Sequence, residues 1–168
     1  MTSCTTEKQH KIVFIGDSLI KNWDEEKYFP YLYTENRGVD GYKIKDCFEE
    51  IINNKDINVV LLVGINDLSS NIKIDSLVEE YSLLINAFNV SHIFCISILP
   101  NDYTPSERIE DFNNRLEKVL QIKANVTFLN VYDEFYWQGH LNPEYTIDGT
   151  HLSPQGYELL TKRLSSLL

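Results

Sequence analysis

The sequence predicts an α/β protein, a three-layer α/β/α sandwich built on a five-stranded parallel sheet. Short apolar runs rich in β-branched residues alternate with segments of helical period. The runs are apolar throughout rather than at every second residue, as in strands covered on both faces. The 168 residues, 43% hydrophobic and 24% charged, suit one domain with a core of its own. No linker, repeat or low-complexity segment divides them, so 1–168 reads as a single domain with a polar N-terminal arm over 1–11.

The expected strands are 12–15, a weaker 31–34, 59–63, 93–98 and 126–131, each bounded by Gly, Asn, Asp or Pro. Between them, 44–53 places Ile44, Phe48, Ile51 and Ile52 at helical spacing. The segment 75–88 carries Leu77, Val78, Tyr81, Leu84, Ile85 and Phe88 on one stripe, with Asp75 as the expected N-cap. The segment 105–121 repeats the pattern with Ile109, Phe112, Leu116, Val119 and Leu120. The last helix is expected to open at Ser153-Pro154, a cap followed by Pro at the first helical position, and to run to Leu168.

Composition excludes several classes. Lys and Arg total 15 against 25 Asp and Glu, a formal charge of −10, which argues against nucleic-acid or anionic-membrane partners. Cys4, Cys47 and Cys95 form no C-x-x-C pair and read as reduced thiols, Cys95 within an apolar strand. The start of the chain has no apolar signal core, and no run approaches the roughly 20 residues that cross a bilayer. A cytoplasmic location is the expectation. No His-x-His, His-Glu-x-x-His or phosphate-loop pattern occurs, so neither a metal site nor a phosphate-cradling loop is expected.

In an open parallel sheet, ligands bind at the carboxyl ends of the strands. The polar residues expected there are Gly16-Asp17-Ser18-Leu19, Asn36 to Gly41, and Gly64-Ile65-Asn66-Asp67, with Asp148-Gly149-Thr150-His151 before the last helix. Acyl transfer by a serine needs a nucleophile, a base, an orienter for the base and donors for the oxyanion. Ser18 follows a strand and starts a helix, which leaves its backbone N–H unpaired. Asp148 lies three residues before His151, close enough to hold one imidazole nitrogen and leave the other for the serine proton. Gly41 allows a close backbone N–H, and Asn66 offers a side-chain amide. Taken singly, each of these reads as a turn, cap or loop residue. Asp17 and Asp67 read as structural acceptors.

Taken together the four blocks resemble the SGNH hydrolase superfamily, the GDSL esterases and lipases, from residue 12 to the C-terminus. The resemblance implies a flavodoxin-like sandwich and a serine hydrolase without cofactor. It assigns Ser18 as nucleophile, Asp148 and His151 as acid and base, and Ser18, Gly41 and Asn66 as oxyanion donors. Tyr42-Lys43 stands where the family often has a small polar pair, so Gly38 is the alternative to Gly41, and Tyr42 is expected to shape the acyl pocket. His10, His92 and His140 are not expected to compete with His151.

The short chain leaves no room for a lid domain, and an open site suits a small acyl group on a larger alcohol. Trp23, Tyr42, Tyr103, Tyr136 and Trp137 fall near the site loops. Tyr42 and Trp137 are the expected substrate contacts, while Trp23 and Tyr136 are expected to pack on the core. The expected activity is hydrolysis of a small acyl ester, an acetyl ester on a carbohydrate or glycoconjugate. Alternatives within the fold are a lysophospholipase, a thioesterase or an acyltransferase. A non-catalytic carbohydrate-binding domain ranks below them, because Ser18, Asp148 and His151 are all present. A flavin or nucleotide binder fits poorly, because Asp17 would repel phosphate.

Overall fold

A computed structural model of the chain describes residues 10–168; Cys4 and most of the expected polar arm lie outside them. Five parallel strands, β1 (Lys11–Gly16), β2 (Thr34–Gly38), β3 (Asn53–Leu62), β4 (Asn89–Ile96) and β5 (Val126–Leu129), form one sheet in the order β2-β1-β3-β4-β5. Residues 12–16 of β1 are buried without alternation, which requires helices on both faces.

The helices are α1 (Ser18–Lys21), α2 (Glu25–Tyr28), α3 (Ile65–Leu68), α4 (Ile74–Ala87), α5 (Ser106–Leu120), α6 (Tyr132–Phe135) and α7 (Pro154–Ser165). Helices α4 and α5 pack together through Tyr81 and Phe112, whose ring centroids are 6.1 Å apart. On α7, Tyr157 donates to the Leu19 carbonyl at 2.8 Å, and Thr161 accepts from the Trp23 indole at 3.0 Å. Trp23 is buried and meets Phe14 edge-on. A small antiparallel hairpin, β6 (Tyr136–Trp137) with β7 (His140–Leu141), follows α6.

The expected elements return with five corrections. The edge strand lies at Thr34–Gly38 rather than 31–34, and Tyr31 is exposed. Its sequence is polar because polar contacts hold it: Asn36 donates to the carbonyls of Ile20 and Trp23 at 2.8 and 3.0 Å, and Glu35 pairs with Lys11 and Arg37. Lys11 thus belongs to β1 and not to a free arm.

The helix expected over 44–53 is a short 3-10 turn, Asp46–Glu50. The Ile44 N–H goes to Asp67, and the following amides bond three residues back, so no α-helical ladder starts. Helix α4 is preceded by Lys73 and not capped by Asp75, whose carboxylate binds Arg115 of α5 at 2.6 Å. Helix α7 opens as expected, with Ser153 accepting from Gly156 at 3.2 Å, but ends at Ser165. Among the described residues, no helix is long and apolar enough to cross a membrane.

Gly38 fixes how α1 sits on the edge strand: a Cβ there would lie 2.1 Å from the Lys21 backbone nitrogen. Backbone cannot yield as a flexible side chain can. The substitution Gly38→Ala is expected to lower stability by about 1–3 kcal/mol, read as a fall in Tm. An unchanged Tm would contradict this close approach.

Candidate active site

Because β2, β1 and β3 are adjacent and parallel, the loops that follow them meet at one edge of the sheet. Asp17 closes the turn after β1, and its buried carboxylate accepts the Leu19 N–H at 2.9 Å as the cap of α1. Ser18 is therefore the first residue of the helix, with its N–H lacking an intrahelical acceptor and its side chain at the sheet edge.

The partner of Ser18 comes from the far end of the chain. His151 Nε2 lies 3.1 Å from Ser18 Oγ, and His151 Nδ1 lies 2.7 Å from Asp148 Oδ2. The other Asp148 oxygen accepts the backbone N–H groups of His151 and Thr150 at 2.7 and 2.9 Å. These bonds, those to His151 foremost, hold the Asp148 carboxyl down at about 2. Asp148 is therefore ionised, and an N–H on Nδ1 makes Nε2 the proton acceptor facing Ser18.

The loop carrying this pair is fixed from outside. Gly149 sits at φ +83°, and a Cβ there would lie 2.4 Å from Asp102 Oδ2. The Asp102 N–H donates to the Gly149 carbonyl at 2.9 Å, Asn101 reaches Thr150 Oγ1 at 3.1 Å, and Tyr103 OH reaches the Asp148 carbonyl at 3.3 Å. Asp102 also accepts the Leu141 N–H at 3.1 Å and lies 3.5 Å from His140 Nδ1, so the hairpin leans on the same residue. His140 thus has a carboxylate neighbour, supplied across the fold. His92 lies in β4 and contacts Thr127, near the opposite ends of the strands.

Asn66, on α3, donates one amide hydrogen to the Tyr42 carbonyl at 2.9 Å, which ties the loop after β2 to the loop after β3. Gly41 has φ +75°, a conformation that favours glycine, and its N–H has no acceptor among the described residues. The Gly38 N–H is taken by Asn36 Oδ1 at 2.8 Å, which removes Gly38 as the alternative donor. The ion pair of Lys21 with Asp40 joins the Gly41 loop to α1.

Beneath the site two carboxyls are sealed from water. Burial pushes Asp17 up to about 7, against the opposing pull of its Leu19 bond and of His151. Burial likewise raises Asp67 to about 6, although it accepts the Ile44 N–H at 3.0 Å. Both are structural acceptors in the positions expected of them.

Two cavities of unequal size adjoin His151 and its loop. One of about 10 Å³ lies among Leu19, Ile65, Ile98, Leu99, Pro100 and Thr150. The other, about 470 Å³, is lined by His151 with Asn22, Asp24, Lys27, Tyr28 and Ile147. Neither is lined by Tyr42 or Trp137, the expected substrate contacts. Tyr42 is half-buried against the core, and Trp137 stands on the outer hairpin. Tyr136 stacks on Tyr132 but is partly exposed rather than packed inside. Of the residues that do line the large cleft, Asn22, Asp24, Lys27 and Tyr28 escape sequence reasoning because they lie in or beside two helices of four residues each, too short for any periodic signal.

Comparison with known proteins bears on this arrangement. The model of the GDSL-like lipase/acylhydrolase family matches residues 14–159. A solved structure of a candidate platelet activating factor from Streptococcus pneumonia superposes with a TM-score of 0.84 at 26% identity, over 98% of this chain and 86% of that one. A GDSL-like lipase from Bacteroides thetaiotaomicron superposes at 0.77 with 21% identity, over 95% and 88%, and shares the fold. The N-acylneuraminate cytidylyltransferase of Escherichia coli O18:K1:H7 is 28% identical over 170 residues, 94% of this chain and 40% of that protein. The chain thus spans about two-fifths of the length of that curated relative.

The raised Asp17 pKa has a signed consequence for stability. The native state holds this proton up to about 7, whereas an aspartate ordinarily releases it at 3.8. Between those values the native state binds more protons, so this group makes stability fall as pH rises, by about 1.4 kcal/mol per unit of difference. Asp17→Asn keeps the acceptor for Leu19 and abolishes the charge. Its stability relative to wild type, from urea unfolding, is expected to be more favourable at pH 8 than at pH 4.5. Equal differences at the two pH values would contradict a buried, proton-holding Asp17.

Proposed function

The chain belongs to the GDSL-like lipase/acylhydrolase family, and we propose that it is a serine esterase removing a small acyl group, acetyl, from a carbohydrate. The hydrogen-bonded chain from Ser18 through His151 to Asp148 is the observation that carries this reading. Ser18 Oγ attacks the ester carbonyl while His151 Nε2 takes its proton, and Asp148 stabilises the imidazolium that forms. The negative charge on the carbonyl oxygen is met by the N–H groups of Ser18 and Gly41 and by the second amide hydrogen of Asn66. His151 then returns the proton to the departing alkoxide. A water attacks the acyl-serine with His151 again as base, releasing the carboxylic acid and restoring Ser18.

The unequal cavities support the substrate class. We take as the acyl pocket the cavity of about 10 Å³ flanked by Leu19 and Thr150, the chain neighbours of Ser18 and His151, with room for a group the size of one water or one methyl. It suits acetyl and opposes the long acyl chains of a lysophospholipase. The cleft of about 470 Å³ lined by His151 is within the range of small-molecule sites and suits a sugar alcohol. The Escherichia coli relative is named for an N-acylneuraminate, and we take that acidic sugar as the first alcohol to test. Its cytidylyl transfer is not carried over.

Hydrolysis of p-nitrophenyl esters from C2 to C12 tests the reading. Activity is expected to be highest at C2, to fall steeply with length, and to drop at least a thousandfold in Ser18→Ala. Asn66→Ala is expected to lower kcat by roughly 10²–10³. A preference for C8 or longer would overturn the acetyl assignment, and full activity in Ser18→Ala would overturn the nucleophile.

A further inference from the structure

The cleft beside His151 is lined by one cation, Lys27, and by one carboxylate, Asp24. The chain carries a net charge of −10, and Lys21, Arg37, Arg115 and Arg163 all pair with carboxylates. Lys27 forms no ion pair among the described residues. Its ammonium instead lies 4.7 Å from the centre of the Tyr28 ring, which holds it in place. The Tyr28 ring is itself braced, with its hydroxyl donating to the Pro154 carbonyl at 3.4 Å and Tyr157 at 6.5 Å between centroids. Both Lys27 and Tyr28 line the cleft that His151 closes.

The remaining lining is suited to the rest of a sugar acid. Asp24 spends one oxygen on the Lys27 backbone N–H at 3.1 Å and keeps the other for a hydroxyl or amide N–H. Asn22 adds a donor and an acceptor, and Ile147, 70% exposed, offers an apolar rim to a sugar face.

We infer that Lys27 is a specificity-determining residue that selects leaving alcohols bearing a carboxylate, an acidic sugar rather than a neutral one. The inference rests on reading this site as a carbohydrate esterase, and its test separates the two. Ser18→Ala protein, which binds without turnover, is titrated calorimetrically with the methyl glycoside of N-acetylneuraminate and with its uncharged carboxamide. The carboxylate is expected to bind about tenfold tighter, with the gap shrinking as salt is raised. Ser18→Ala/Lys27→Gln is expected to close the gap and Ser18→Ala/Lys27→Arg to keep most of it. In the Ser18-containing enzyme, Lys27→Gln is expected to raise KM for the O-acetylated acid with kcat little changed. Equal affinity for the acid and the amide, or a gap that survives Lys27→Gln, would overturn the assignment. Failure of the esterase reading would show instead as no acetate released from either sugar while the binding gap persists, an outcome that supports the role of Lys27.

Discussion

The segment that brings Asp148 and His151 to Ser18 has no regular secondary structure, and its position depends on the contact between Gly149 and Asp102. The backbone of each residue approaches the other closely enough to exchange a hydrogen bond of 2.9 Å, and there is no space for a side chain at 149. Around that contact, Asn101 and Tyr103 hold Thr150 and Asp148. Thr146 Oγ1 accepts the Gly149 N–H at 2.8 Å and donates to the His151 carbonyl at 2.8 Å. A loop fixed by its backbone keeps the imidazole in place without burying it. His151 is therefore free at one nitrogen, and its other is occupied by a carboxylate that two further backbone amides keep ionised.

The opposite wall is built from the sheet. Parallel pairing of β1 with β2 and β3 brings the turns that follow them, which carry Ser18, Gly41 and Asn66, to one edge of the sheet. Polar side chains then tie the turns together: Asp67 to Ile44, Asn66 to Tyr42 and Lys21 to Asp40. Burying Asp17 and Asp67 beneath these turns has an electrostatic cost, visible in their raised pKa values. What it secures is an acceptor for the Leu19 N–H in one turn and for the Ile44 N–H in the other, which fixes both turns at the sheet edge.

The parallel sheet was legible because its central strands are continuously apolar, and the chain order of the four polar blocks located the site. The edge strand was not, because Thr34 to Gly38 is stabilised by hydrogen bonds and ion pairs and not by burial of apolar side chains. The 44–53 segment misled for a related reason: its apolar spacing is satisfied by a 3-10 turn once Ile44 is claimed by Asp67. Ser18, Asp148 and His151 meet across 133 residues of sequence, yet the Asp-x-x-His spacing already implied the local pair. The cleft residues Asn22, Lys27, Tyr28 and Ile147 carry no such spacing. They converge only because α1 and α2 fold back beside the start of α7. The two aromatic residues favoured for substrate, Tyr42 and Trp137, line neither of the two cavities described.

Reaction of the folded protein with a fluorophosphonate, followed by peptide mapping, tests the activation of Ser18 by His151 most directly. The serine oxygen displaces fluoride and keeps the phosphonyl group, so the reacting residue is identified by mass. One adduct on the peptide containing Ser18, lost in His151→Ala, is the result predicted by the 3.1 Å contact between them. No adduct, an adduct on another residue, or equal labelling without the imidazole would contradict it.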